Sequence, residues 1–217
     1  MGQTHPQVLA EARAALDPLL DSDLDRVLVG VAGPPAAGKS TMATSLAEAL
    51  CREFGEGTAV AVPMDGFHLA NAELDRLGLA DRKGAPETFD ASGFVHLLRR
   101  LRDADGELVY APTFSRVVNE SIGSAIPVAP KVRVVVVEGN YLLLPYEPWS
   151  QVRELLDLVM YLEAPRPARI GSLLRRQQAR GLGRQAAHDW VHRSDERNAA
   201  LIETTRHRAD VLLTRPD

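Results

Sequence analysis

Arg26-Val27-Leu28-Val29-Gly30-Val31-Ala32 runs directly into Gly33-Pro34-Pro35-Ala36-Ala37-Gly38-Lys39-Ser40, and the residues from Ser40 to Phe54 read as a helix. The first run is apolar and β-branched, of strand length. The octet fills the Walker A spacing, Gly-x4-Gly-Lys-Ser, in the strand-loop-helix context that the pattern requires. Glycines let the backbone wrap a phosphate, and a helix N-terminus offers unpaired N–H groups with a partial positive charge. Pro34 and Pro35 carry no N–H, so beyond Gly33 the amides of the cradle come mainly from Ala36, Ala37, Gly38, Lys39, Ser40 and Thr41. Lys39 is set to reach the β and γ phosphates, and the Ser40 hydroxyl to ligate Mg²⁺. The expected ligand is Mg·ATP; there is no Asn-Lys-x-Asp guanine-reading motif, though ATP and GTP are not separated by the loop itself.

Outward from the loop, strands alternate with helical patterns. Residues 6–20 carry Val8, Leu9, Ala12, Leu16, Leu19 and Leu20 at helical spacing. A second strand, Thr58 to Met64, ends at Asp65-Gly66-Phe67-His68; helical patterns follow at about 67–78 and 91–104. Glu107 to Ala111 reads as a short strand, and 112–130 as an irregular stretch rich in Ser, Pro and Gly. Val132 to Val137 is apolar at nearly every position, as in a parallel sheet buried on both faces. Leu158 to Leu162 is a further strand, helices are expected over about 165–180 and 184–207, and Val211 to Leu213 closes the sheet. The pattern predicts one domain over 1–217. Its class is α/β, a three-layer P-loop NTPase fold with a mostly parallel five-stranded sheet, a helical lid at about 166–190 and an acceptor-binding insertion at about 66–128.

Composition narrows the function classes. The chain has 217 residues, 45% hydrophobic and 25% charged, as ordinary globular proteins do. A net charge of −4 argues against general nucleic-acid binding, which needs a basic face. The single cysteine, Cys51, excludes an internal disulfide and a cysteine-rich metal site, and its apolar neighbours suggest packing. Met1 to Pro6 lacks the pattern of a signal peptide, and no apolar run is of membrane-spanning length, so a cytoplasmic protein without a membrane partner is expected.

Two carboxylates stand at strand ends. Glu138 follows the valine run, where a Walker B residue holds Mg²⁺, often through water. Asp65 ends the second strand, where a carboxylate can accept the proton of an attacking hydroxyl; an Asp-Gly turn has a local cause as well. From Arg166 to Arg184 six arginines accumulate, with Arg169, Arg176 and Arg180 on one helical face beside Gly181-Leu182-Gly183. An arginine on such a lid closes over phosphates and stabilises the transferring group; Arg176 is expected to act in catalysis and Arg180 to contact the nucleotide.

Gly33–Ser40, Asp65-Gly66-Phe67-His68, Arg82-Lys83-Gly84-Ala85-Pro86-Glu87-Thr88-Phe89-Asp90 and Glu138-Gly139-Asn140-Tyr141 occur in this order. Together they resemble the phosphoribulokinase/uridine kinase/bacterial pantothenate kinase group of P-loop kinases, most closely the bacterial uridine-kinase-like or fructose-transport-system kinase branch, over about residues 24–215. The resemblance implies Asp65 as catalytic base, and acceptor contacts from Lys83 to Asp90 and from Arg116. His68, Phe89, Glu138 and Tyr141 are further candidates for the acceptor side. Ser194 and Arg197 depart from an Asn-Asp-Glu-Pro-Asn pattern of that branch, and Ser115 stands where an Asp is expected. The implied function is transfer of the γ-phosphoryl group of ATP to a hydroxyl of a sugar, a pantothenate-like alcohol or a nucleoside. The aromatic content of 5% offers no evident platform for stacking a base, which tilts the expectation away from nucleosides. A nucleotide-dependent regulatory NTPase is the alternative, and a homodimer is compatible with the resemblance.

Overall fold

The computed structural model describes residues 4–103 and 106–216. Residues 1–3, from the opening stretch read for a leader, and residue 104, the expected end of a helix, lie outside them. The chain starts with α1 (Pro6–Ala14) and a short α2 (Asp17–Leu20), then β1 (Val27–Ala32), α3 (Lys39–Phe54) and β2 (Ala59–Pro63). The middle contains α4 (Asn71–Leu77), α5 (Ala91–Asp103), β3 (Val109–Ser115), β4 (Glu120–Val128) and β5 (Val134–Gly139). The last part contains α6 (Ser150–Glu154), β6 (Leu158–Glu163), α7 (Arg166–Ala179), α8 (Arg184–Trp190), α9 (Glu196–Glu203) and β7 (Val211–Thr214).

Five strands form one parallel sheet in the order β2-β5-β1-β6-β7. Alternate residues of β1 feed two cores. Val27, Val29 and Val31 pack with Val8, Leu16, Met42, Leu46 and Leu50, while Leu28 joins Phe94, Leu98, Val135, Val137 and Trp149 on the other face. This is the three-layer arrangement, and burial on both faces explains why β1 and β5 tolerate hardly a polar residue. Pairing sets Glu138 beside Pro63 and Val31, so β1, β2 and β5 all end at one edge. Among the described residues no helix is long and apolar enough to cross a membrane.

Three expectations need correction. The stretch 112–130 is not irregular: β3 and β4 form an antiparallel hairpin apart from the main sheet, with a register shift between Ala111 and Thr113 around Pro112. Only Val109, Ala111 and Val128 of this hairpin are buried, so it lacks the apolar alternation that marks a core strand. The helix expected from residue 67 begins only at Asn71, after a 3₁₀ turn at Met64–Phe67. Between them the backbone is extended, with Leu69 N–H donating to Thr88 O at 2.9 Å and Asp90 N–H to Phe67 O at 2.8 Å. Finally, 184–207 is interrupted by a π-helical turn at Val191–Asp195.

Candidate active site

The phosphate loop spans the gap between β1 and α3. Gly33 has φ 147°, and a Cβ there would lie 2.4 Å from the Leu162 carbonyl oxygen, so only glycine lets the loop cross β6 so closely. Gly38 starts α3 from φ 106°, and Ala36 also adopts a left-handed φ of 62°. From α7, the buried Arg169 reaches back to the loop: Nη1 donates to Pro35 O and pairs with Glu196, both at 3.4 Å.

Lys39 is buried, and its Nζ donates to Pro34 O at 3.1 Å. Burial pushes its pKa down to about 8, against the opposing attraction of Glu138 and Asp65. The Ser40 hydroxyl donates to Glu138 Oε1 at 2.7 Å. Glu138 is buried at the end of β5; burial first, then the nearby Asp65 charge, raises its pKa, while Lys39 and Ser40 oppose that shift. A hydroxyl and a desolvated carboxyl, with a second carboxylate near, form a hard-oxygen donor set that suits Mg²⁺. Among the described residues no cluster of three or more His, Cys, Asp or Glu could cage a metal by itself.

Asp65 sits in the 3₁₀ turn after β2, half-buried, close enough to Glu138, Lys39 and Arg176 to act on their charges. Its neighbour Gly66 touches the hairpin: a Cβ there would stand 2.6 Å from Pro112 O. His68 Nδ1 contacts Asp65 O at 2.8 Å, and its ring packs 4.0 Å from Phe89 and 4.7 Å from Phe114. Burial lowers the His68 pKa, favouring the neutral imidazole. Lys83 Nζ lies 5.3 Å from the centre of the Phe114 ring and donates to Asn71 Oδ1 and, at 2.9 Å, to Asn119 O. Asp65, His68, Phe114 and Lys83 thus follow one another along a wall formed by the turn after β2 and the hairpin.

Arg116 lies in the turn between β3 and β4 and is near enough to Arg176 and Glu138 to affect both. Arg176, on α7, is desolvated and repelled by Arg116, which together lower its pKa. Arg180, just past α7, turns instead to the hairpin and donates to Asn119 Oδ1. Phe89 and Tyr141 lie behind the wall, buried with Trp149; the Tyr141 hydroxyl donates to Gly84 O at 2.5 Å. Two hollows flank this centre. One of about 120 Å³ lies beside Gly38 and Thr41, between His5, Leu162 and Arg215. The other, about 470 Å³, is lined by Leu69, Glu87, Asp90 and Trp149 and includes no residue of the phosphate loop, nor Asp65 or Glu138.

Sequence reasoning missed Asn119, Glu120, Asn198 and Asp195. Asn198 Nδ2 donates to Gly84 O at 3.1 Å, sharing that acceptor with Tyr141. Asp195 closes the π-helical turn with a buried Oδ2 that finds no hydrogen-bond partner among the described residues, and burial raises its pKa to about 6. Only the Ser194–Asn198 stretch gave a signal in advance, as a partial match to a pattern of unassigned role.

The profile of the Phosphoribulokinase / Uridine kinase family matches residues 28–216. A Schizosaccharomyces pombe protein provisionally named a uridine kinase is 35% identical over 194 residues, covering 87% of this chain and 83% of that one. The pantothenate kinase of Lacticaseibacillus casei is 34% identical over 138 residues, 63% of this chain and 44% of that enzyme. A crystal structure from Silicibacter sp. TM1040, provisionally named a fructose transport system kinase, superposes with a TM-score of 0.85 at 39% identity, covering 99% of this chain and 100% of that one.

Proposed function

This chain belongs to the phosphoribulokinase/uridine kinase family of small-molecule kinases, and on that premise we propose that it transfers the γ-phosphoryl group of ATP to a hydroxyl of a small metabolite, with Asp65 as the base. The observation that carries this reading is the position of Asp65. It stands at the sheet edge beside Lys39 and Glu138, at the start of the wall that continues through His68 to Lys83.

The loop amides from Ala36 to Thr41 bind the triphosphate, and the base of the nucleotide takes the hollow beside Gly38, Thr41 and Arg215. Lys39 neutralises the β and γ phosphates; at neutral pH it is mostly protonated, its pKa being about 8. Ser40 and Glu138, already in contact, would hold Mg²⁺. Bound there, the ion would supply positive charge to offset that of the phosphates. Asp65 orients the acceptor hydroxyl and takes its proton as the new O–P bond forms and ADP leaves. Arg176 meets the charge on the transferring group, while His68 and Arg116 line the acceptor side. Phe89 and Tyr141 support that side from behind.

The test is ADP release across sugars, nucleosides and pantothenate. Stimulation by at least one alcohol, lost in Asp65→Asn, supports the reading. ATP turnover that no alcohol stimulates and that persists in Asp65→Asn overturns it in favour of a regulatory NTPase.

A further inference from the structure

The hairpin turn between β3 and β4 contains a residue that joins two cations without neutralising either. Asn119 adopts φ 55°, a left-handed conformation that asparagine tolerates better than most residues. From that backbone its carbonyl oxygen accepts from Lys83 Nζ at 2.9 Å, while its side-chain Oδ1 accepts from Arg180 Nη2. Lys83 comes from the segment between α4 and α5, Arg180 from the end of α7; Asn119 is the point where they meet. The two cations repel each other, and that repulsion, behind burial, contributes to lowering the Lys83 pKa.

Glu120 attracts Lys83, but both its oxygens already accept from the Asn71 N–H, at 3.0 and 3.2 Å. Arg116 stands three residues before Asn119 in the same turn, and among the described residues no hydrogen bond or ion pair to its guanidinium is found. Lys83 and Arg180 thus meet on uncharged oxygens: Glu120 lies near Lys83 and Asp195 near Arg180, but among the described residues neither carboxylate pairs with either cation. A carboxylate at position 119 would satisfy Lys83 and Arg180 equally well by geometry, and would cancel the field they create.

We propose that Asn119 is a specificity-determining residue: by gathering Lys83 and Arg180 through uncharged oxygens, it builds a cationic clamp for a carboxylate or phosphate on the acceptor alcohol. The acceptor reaches Asp65 with its hydroxyl and the clamp with its anionic end. This inference rests on the kinase reading above.

The experiment compares steady-state phosphorylation of pantothenate and D-glycerate (carboxylates), glycerol phosphate, and uridine and fructose (neutral alcohols). It uses the full chain and its Asn119→Asp and Asn119→Ala variants, with folding checked by thermal unfolding. The wild type is expected to prefer an anionic alcohol, and whether a carboxylate or the phosphate is taken tells the two sources apart. Asn119→Asp should raise the KM of that acceptor at least about tenfold and leave the KM of ATP within about twofold. Asn119→Ala, which breaks the Arg180 contact but adds no negative charge, should raise the acceptor KM less than Asn119→Asp does. A neutral alcohol as best substrate, or an anionic acceptor whose KM is unmoved by Asn119→Asp, overturns the clamp and leaves the kinase reading standing. Absence of transfer to every alcohol overturns both.

Discussion

Replacing Lys39 by methionine should abolish activity and make the nucleotide-free protein more stable. Lys39 is held in a buried site against a cost: its pKa falls from 10.5 to about 8, even with Glu138 and Asp65 attracting it. The difference, 10.5 − 8 = 2.5, corresponds to about 3 kcal/mol for carrying the charge at neutral pH. Methionine removes that charge at similar volume but leaves Pro34 O without its donor, which costs about 1 kcal/mol. The expected net gain is about 2 kcal/mol, or about 4–8 °C in Tm for a chain of this size. The sign with pH follows from linkage. Because the folded pKa lies below the unfolded one, the penalty is full below about pH 8 and fades as pH rises toward 10.5, so the wild type closes on the variant over that window. Thermal unfolding without nucleotide at pH 7 and pH 9.5 measures this. Mg·ATP should then raise the wild-type Tm and leave Lys39→Met unmoved. A variant no more stable than wild type at pH 7, or a gap that does not narrow at pH 9.5, refutes the reasoning.

The same ionisation should appear in kinetics: kcat/KM for ATP falls above about pH 8 as Lys39 loses its proton in the free enzyme, whereas a profile flat to pH 9.5 contradicts this. Gly66→Ala places a Cβ 2.6 Å from Pro112 O, which forces the hairpin away from Asp65. Steady-state kinetics should show an acceptor KM raised about tenfold with the KM of ATP nearly constant, and thermal unfolding a loss of about 1–3 kcal/mol.

The nucleotide half of the site was legible in the sequence because its chemistry is local. Gly33, Gly38, Lys39 and Ser40 lie within one octet, and the strand before it and the helix after it advertise themselves by apolar periodicity. Glu138 was legible for the same reason, at the end of four consecutive valines. The acceptor half was harder. Lys83, Asn119 and Arg180 come from separate segments and meet only through the hairpin, whose exposed strands alternate too weakly to register as structure. His68 read as a helical residue because Asn71–Leu77 follows closely; its extended conformation depends on pairing with Phe89, a partner at long range. Asn119 has no motif at all, since its role arises from a left-handed turn and from what α7 brings to it.

The central claim is that Asp65 takes the proton of an acceptor hydroxyl while the loop holds ATP. Single-turnover transfer of the labelled γ-phosphoryl group to the best acceptor, in wild type and Asp65→Asn, tests it most directly, with ATP affinity measured on the same samples. The account predicts a transfer rate lowered at least about a hundredfold and an ATP Kd changed by less than about threefold. Transfer at the wild-type rate in Asp65→Asn would contradict it.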